Sequence, residues 1–343
     1  MTDCIFVADV GGTNARFALV GRGEDGRPAI RGIAKLRAAD YPTFGQCALA
    51  WLKTLDAGLR PKAATLAVAG PILGTTVALT NRAWTFEIPD LQAELGLDRL
   101  HVINDFAAIA YSLPLIAREH MYALPGPAWP AAGLPEIVGL LGPGTGLGVA
   151  ISLSAGRSRA IIATEGGHCG FAPADDVEIE VLRLLAAKFG RVSAERLISG
   201  PGLKNIYQAL GTIRAMDIVE REPAGIVEAA NQGDPLARLA VERFCLVLAT
   251  LAGDLALAQG ALAIAIAGGI PPKILPYLAT EAVRERFNAK GRRRDMMEVT
   301  PLAVITDPEP GLLGAAAHLA AAHWPVFAPG HSSLGGKRLD GGF

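Results

Sequence analysis

Cysteine is scarce in this chain. Four of 343 residues are Cys (Cys4, Cys47, Cys169 and Cys245), and they are scattered without metal-site spacing. They read as the reduced thiols of a cytoplasmic protein. Net charge is nearly absent as well: 32 Lys and Arg against 33 Asp and Glu leave -1. That balance argues against nucleic acid or an anionic membrane as the main partner. The N-terminus lacks a basic stretch and carries Asp3 and Asp9, so it does not read as a signal peptide. The run from Leu255 to Pro272 has no charge, but Gln259, Gly260, Gly268, Gly269 and Pro271-Pro272 interrupt it. A helix end followed by a buried strand explains it better than a membrane span. What is present is apolar bulk, 51% of residues and rich in Ala. That is enough for two domains around a large core.

The chain also says nearly the same thing twice. Cys4–Val20 reads CIFVADVGGTNARFALV, and Ile137–Ile151 reads IVGLLGPGTGLGVAI. Each is an apolar strand, a tight Gly-Thr turn and a second strand. Glycine at a hairpin tip lets backbone N–H groups converge on an anion without a Cβ in the way. Thr13 and Thr145 add hydroxyl donors. One such tip could be an ordinary turn; a pair predicts two related halves facing each other across a nucleotide. Counting back from the threonines, Asp9 in the first copy matches Leu141 in the second. One side of the cleft would then handle Mg²⁺ and the other phosphate alone.

Periodicity predicts strands at 4–10, 15–20, 29–37, 63–69, 100–103, 158–163, 262–267 and 302–305. Helices are predicted at 43–55, 89–95, 105–112, 177–189, 236–259 and 311–322. In the 177–189 helix, Val177, Val181, Leu184, Leu185 and Lys188 share a face. Texture changes near residue 115. The expected division is 1–114 plus about 305–324 as a small α/β domain, 115–304 as a larger α+β domain, and 325–343 as a mobile tail.

Several polar residues stand where a ligand could use them. Asn104-Asp105 falls where a strand meets a helix. One of the two can cap the helix, and the other then projects into the crevice where open α/β sheets bind ligands. A carboxylate there can take a proton from a sugar hydroxyl. Glu165-Gly166-Gly167-His168 sets two polar side chains around two glycines, a pattern that suits a binding loop better than bare surface. Gly268-Gly269 follows a strand and could lie flat against adenine or simply form a tight turn. Glu195 follows Ser193, a plausible cap, and spacing alone gives it only a helix-terminal role.

The motif Asp9-Val10-Gly11-Gly12-Thr13-Asn14-Ala15-Arg16 resembles the first phosphate motif of the hexokinase and actin-like ATPase superfamily. More narrowly, the chain is similar to the bacterial ATP-dependent glucokinase family. The matching segments include Leu79–Trp84, Ile103–Phe106, Gly142–Gly148, Glu165–His168, Ser193–Arg196, Ser199–Leu203 and Ala267–Ile270. They run in family order through nearly the whole chain. The resemblance implies a two-domain actin-like (ribonuclease H-like) fold with a cleft between its domains. It implies transfer of phosphate from ATP to the glucose 6-hydroxyl, ATP and Mg²⁺ as cofactors, and a homodimer. It makes Asp105 the general base, with Asn104, Glu165, His168 and Glu195 on the sugar hydroxyls. Asp9 would hold Mg²⁺. Gly11, Gly12, Thr13, Asn14, Gly144, Thr145 and Gly146 would cradle phosphates, and Gly268-Gly269 would border adenosine. Gly170 stands where relatives often carry a polar residue, which bears on the fine sugar contacts.

Two rivals share the scaffold. A sugar-responsive transcription factor of the related repressor/kinase group would need a DNA-binding domain before a first strand that here starts by residue 4. It would also often carry a Cys cluster after Glu165–His168. A kinase for acetate, glycerol or polyphosphate would not need the multidentate sugar loop.

Overall fold

The computed structural model describes residues 5–24, 26–56, 58–70, 72–80, 82–131, 133–155 and 158–323. The tail from Pro325 expected to be mobile lies outside the described residues. The chain opens with β1 (Ile5–Val10), β2 (Asn14–Arg22), β3 (Pro28–Arg37), α1 (Phe44–Leu52) and β4 (Ala63–Val68). The short β5 (Ile72–Leu73), β6 (Thr76–Ala78) and β7 (Thr85–Glu87) make a small sheet of their own. Then come α2 (Ile88–Glu94), β8 (Arg99–Asn104) and α3 (Asp105–Ser112). The second half holds β9 (Met121–Ala123), β10 (Ile137–Pro143), β11 (Leu147–Ala155) and β12 (Ser158–Thr164). Five helices follow in turn: α4 (Asp176–Phe189), α5 (Gly200–Arg214), α6 (Pro223–Asn231), α7 (Pro235–Gln259) and, beyond β13 (Ala263–Ile266), α8 (Leu275–Leu278). The chain then runs through α9 (Glu281–Asn288), α10 (Arg294–Glu298), β14 (Leu302–Ile305) and α11 (Pro310–His323).

The two large sheets repeat one plan. Their strand orders are β3-β2-β1-β4-β8 and β12-β11-β10-β13-β14, the second extended by β9. In each, the hairpin strands pair antiparallel and the next two strands join in parallel. The helices that leave the last parallel strands cross over. α3 follows β8, yet Phe106, Ile109, Ala110 and Leu113 pack on Val138, Leu140, Ala150 and Ala265 of the second sheet. α11 follows β14, yet Leu312, Ala315, Ala316 and Leu319 pack on Ile5, Val7, Ala18 and Val20 of the first sheet. Ala108 of α3 joins that second cluster, so the two helices lie back to back between the sheets. Alternation along the strands makes this possible: Leu140 faces α3 while Leu141 faces the outer helices. Each buried Leu or Phe in these layers contributes roughly 1.5–3 kcal/mol.

Outside the first sheet, Phe17 stacks on Trp51 of α1 with ring centroids 5.1 Å apart. Outside the second sheet, α7 is the spine of the helical layer, capped by Asp234 at its start and by left-handed Gly260 at its end. Boundaries moved where caps decided them. Thr43 accepts from Gln46 N and so stands before α1 rather than inside it. On α4, Val181 and Leu185 are buried as expected, but Leu184 is 37% exposed because it sits beside the stripe, not in it. Periodicity missed α5, whose first turn is Gly200-Pro201-Gly202, and α9, whose buried side chains include Arg284. Neither displays an apolar stripe at its start. Among the described residues no helix is long and apolar enough to cross a membrane.

Candidate active site

The hairpin tips of the two sheets face each other across a cleft of about 560 Å³. Asp9, Gly11, Gly12, Asn104, Asp105, Gly144, Thr145, Gly146, Glu165, His168, Glu195, Gly268 and Gly269 all line it. Thr13 and Asn14, expected beside the phosphates, do not line it; Thr13 is exposed at the first tip, where its carbonyl accepts from Ala38 N at 2.9 Å.

The strand-to-helix junction resolves the Asn104-Asp105 pair. Asn104 is the cap: its Oδ1 accepts from Phe106 N at 2.9 Å and Ala107 N at 3.1 Å. Its amide protons remain as donors for a ligand. Asp105 is the first residue of α3 and borders the cleft, with Oδ1 accepting from Phe106 N at 2.9 Å. Burial, and then the neighbouring Asp9 carboxylate, push the Asp105 carboxyl up to about 7, against amide hydrogen bonds that lower it. A carboxyl at that value is matched to proton transfer near neutrality.

Glu165 follows β12 directly, and a single turn over Gly166–His168 comes after it. The two side chains are open, 82% and 56% exposed, and approach to 3.8 Å. Their loop is held from outside the cleft. Arg191 Nη2 donates to the His168 carbonyl at 2.8 Å, Ala194 N donates to Cys169 O at 2.9 Å, and Phe171 N donates to Val192 O at 3.0 Å. Gly170 bridges Ser193 in that zipper, is absent from the cleft lining, and would meet nothing if given a Cβ. The departure noted in the sequence therefore falls outside the cleft lining, on the loop's outer side.

Glu195 has another task than the helix-terminal one that spacing gave it. Ser193 makes no side-chain cap. Glu195 Oε2 instead accepts from Leu147 N at 2.9 Å, tying its loop to the second hairpin. Glu195 also lines the cleft beside Glu165 and His168. Gly268 sits at φ +94°, a left-handed backbone in which a Cβ would run into the Pro143 carbonyl. The backbone after β13 can therefore lie against the second tip.

At the first tip the pairing of Asp9 with Leu141 needs correcting. β1 and β2 pair as far as Val10↔Ala15, whereas β10 and β11 pair as far as Pro143↔Leu147. The first loop is therefore residues 11–14 and the second 144–146. Counting from the threonines slips by one residue, and one residue changes the face of a strand. Leu141 lies in the outer core. The counterpart of Asp9 is Gly142, against which Phe106 of α3 packs. Asp9 is half-buried at the cleft wall, and desolvation raises its carboxyl above the ordinary range, while Arg16 lowers it. Arg16 Nη1 donates to Asp9 Oδ2 at 3.1 Å across the strand pair. Among the described residues no group of three or more His, Cys, Asp and Glu side chains is set to hold a metal unaided. A single hard carboxylate beside a phosphate cradle suits Mg²⁺, which keeps its waters and takes most other ligands from substrate phosphates.

Sequence reasoning missed Thr80, Thr306, Asp307 and Gly311, which also border the cleft. For Thr306-Asp307 a signal existed: an acid between a strand and a helix, as at Asn104-Asp105. Thr80 reaches the cleft on the small-sheet loop, where Thr80 N donates to Ala69 O at 3.1 Å, and nothing local marks it.

A family model described as Glucokinase matches residues 6–322. A glucokinase of Marinobacter nauticus is 42% identical over 313 residues, covering 90% of this chain and 95% of its own. One from Stenotrophomonas maltophilia is 40% identical over 320 residues, covering 92% and 95%. A crystal structure of glucokinase from an Antarctic psychrotroph superposes with a TM-score of 0.81 at 34% identity, covering 93% of this chain and 99% of that one.

Proposed function

The chain belongs to the glucokinase family, and from that membership and the cleft we propose that it transfers the γ-phosphoryl group of ATP to the 6-hydroxyl of glucose. The observation that carries the reading is Asp105, a carboxyl at the junction of the halves, raised to about 7 and open to the same cleft as both glycine tips. In this reading Asp105 accepts the hydroxyl proton as the oxygen attacks. Asn104, Glu165, His168 and Glu195 hold the other hydroxyls and aim the 6-hydroxyl along the line of transfer. Gly11, Gly12, Gly144, Thr145 and Gly146 give backbone and hydroxyl donors to the phosphates, Gly268-Gly269 borders the adenosine, and Thr13 and Asn14 shape the first tip. Phosphoryl transfer asks the protein for little covalent chemistry and much positioning. Asp9 would hold Mg²⁺, which when bound neutralises charge on the transferring phosphates.

Several further assignments belong to this reading. Residues 1–114 with about 305–324 form the small α/β domain and 115–304 the large one. A homodimer rests on the family resemblance. A cytoplasmic setting is supported by the free Cys47, Cys169 and Cys245. The test is an acceptor screen with Mg-ATP over glucose, mannose, fructose, glucosamine and N-acetylglucosamine. Glucose should lead in kcat/KM; equal rates on all five, or none, would sink the assignment.

A further inference from the structure

Arg16 sits between two carboxylates and satisfies only one. Its Nη1 bonds to Asp9 at 3.1 Å, while its Nε lies 3.2 Å from Glu309 Oε2 out of line for a hydrogen bond. Both Nε and Oε2 are buried and have no hydrogen-bond partner. Buried polar atoms left so close yet unbonded are costly, and a small rotation of the guanidinium would pair them. Glu309 is not on the first sheet. It lies in the segment between β14 and α11, which leaves the second sheet for the helix that covers the first. Its N–H donates to Asp307 Oδ1 at 2.9 Å, fixing the segment's turn. Gly311, in the first turn of α11, comes so near Asp9 that a Cβ would lie 2.9 Å from its Cγ. The charged groups around Asp9 are thus Arg16, Glu309, Asp307 and Asp105, with Lys35 opposite Arg16 on β3.

We propose that Arg16 and Glu309 are positioning residues for the cation-binding carboxylate: Glu309 takes up the Arg16 guanidinium when Asp9 turns to a divalent cation. This rests on the reading in which Asp9 holds Mg²⁺. Asp9, Arg16 and Glu309 together carry one net negative charge, and the cation meets that charge. With Glu309 neutral, the guanidinium has only Asp9 to pair with and competes with the cation for it. With both Arg16 and Glu309 neutral, the single negative charge returns. A direct ligand role for Glu309 gives a different pattern, because neutralising Arg16 cannot restore a lost ligand.

The experiment is calorimetric titration of Mg²⁺ into the full chain with ADP bound and glucose absent, so that no turnover is read. Glu309→Gln should weaken Mg²⁺ binding by about tenfold, and Glu309→Gln with Arg16→Gln should return to within about threefold of wild type. A double variant as weak as Glu309→Gln, or a Glu309→Gln protein with unchanged Mg²⁺ affinity, overturns the proposal. Should Arg16→Gln not fold, Glu309→Asp is the second reading. It keeps the charge on a shorter stem, so affinity should stay within about threefold of wild type, and a loss like that of Glu309→Gln overturns the proposal. Asp9→Asn is the separate control: if it binds Mg²⁺ like wild type, the underlying assignment of the metal to Asp9 fails, whatever Glu309 does.

Discussion

The two hairpins that face the cleft share strand order, pairing and a glycine tip, yet one is charged and the other is not. On the first, Asp9 pairs across the strands with Arg16. On the second, the corresponding cross-strand pair is Gly142 with Gly148. Phe106 from α3 packs against both of those glycines. Where the first sheet presents a carboxylate to the cleft, the second opens its backbone to a ring from α3, the helix that carries Asp105. A duplicated unit has thus been given two tasks by removing side chains as well as adding them. In the proposed reading the first half serves a cation and the second phosphate; the second also seats α3 through Phe106.

The largest effect should come from the residue between the halves. Asp105→Asn keeps the shape of the α3 start and removes the proton acceptor, so kcat should fall by about 10²–10⁴ with a smaller change in KM for glucose. Wild-type turnover in that variant would remove Asp105 from the role. In wild type, kcat/KM should decline as pH drops through about 7, where the Asp105 carboxyl takes up its proton. The same group makes a stability prediction of known sign. Its folded value lies above its ordinary 3.8, so the fold bears a buried charge increasingly as pH rises through about 7. Asp105→Asn should therefore raise the melting temperature relative to wild type more at pH 8 than at pH 5.

Next comes the charged hairpin by itself. Asp9→Asn should shift the Mg²⁺ requirement upward by about tenfold or more while glucose affinity holds. Superimposable Mg²⁺ titrations for the two proteins would take the metal away from Asp9. The uncharged hairpin should fail differently. Gly148→Ala places a methyl against the Phe106 ring, and such overpacking costs roughly 1–3 kcal/mol. Thermal unfolding should show the loss with the Mg²⁺ dependence unmoved. A shifted Mg²⁺ curve in Gly148→Ala would erase the division of labour between the hairpins. The smallest effects separate the two threonines. Thr145 borders the cleft and Thr13 does not. Thr145→Val should raise KM for ATP by about tenfold, the worth of one lost hydrogen bond, and Thr13→Val should stay within about threefold. Equal losses would mean that the first tip moves into the cleft when nucleotide binds.

The sequence by itself determined the repeat, the family and many of the polar groups of the cleft, though not Thr80, Thr164, Thr306 or Asp307. Glycine pairs at strand ends, Asn-Asp at a strand–helix junction and Glu-Gly-Gly-His are local signals, legible because backbone conformation and capping are set by neighbouring residues. Tertiary structure alone decided three things. It assigned the roles within Asn104-Asp105, since either could cap and only the packing of α3 fixed which faced the cleft. It turned Glu195 toward Leu147 N, 48 positions away, a contact no spacing rule reaches. And it replaced Leu141 by Gly142 as the counterpart of Asp9. The physical reason is the strand's period of two: loops of unequal length shift the count by one, and one residue is the difference between the cleft face and the core.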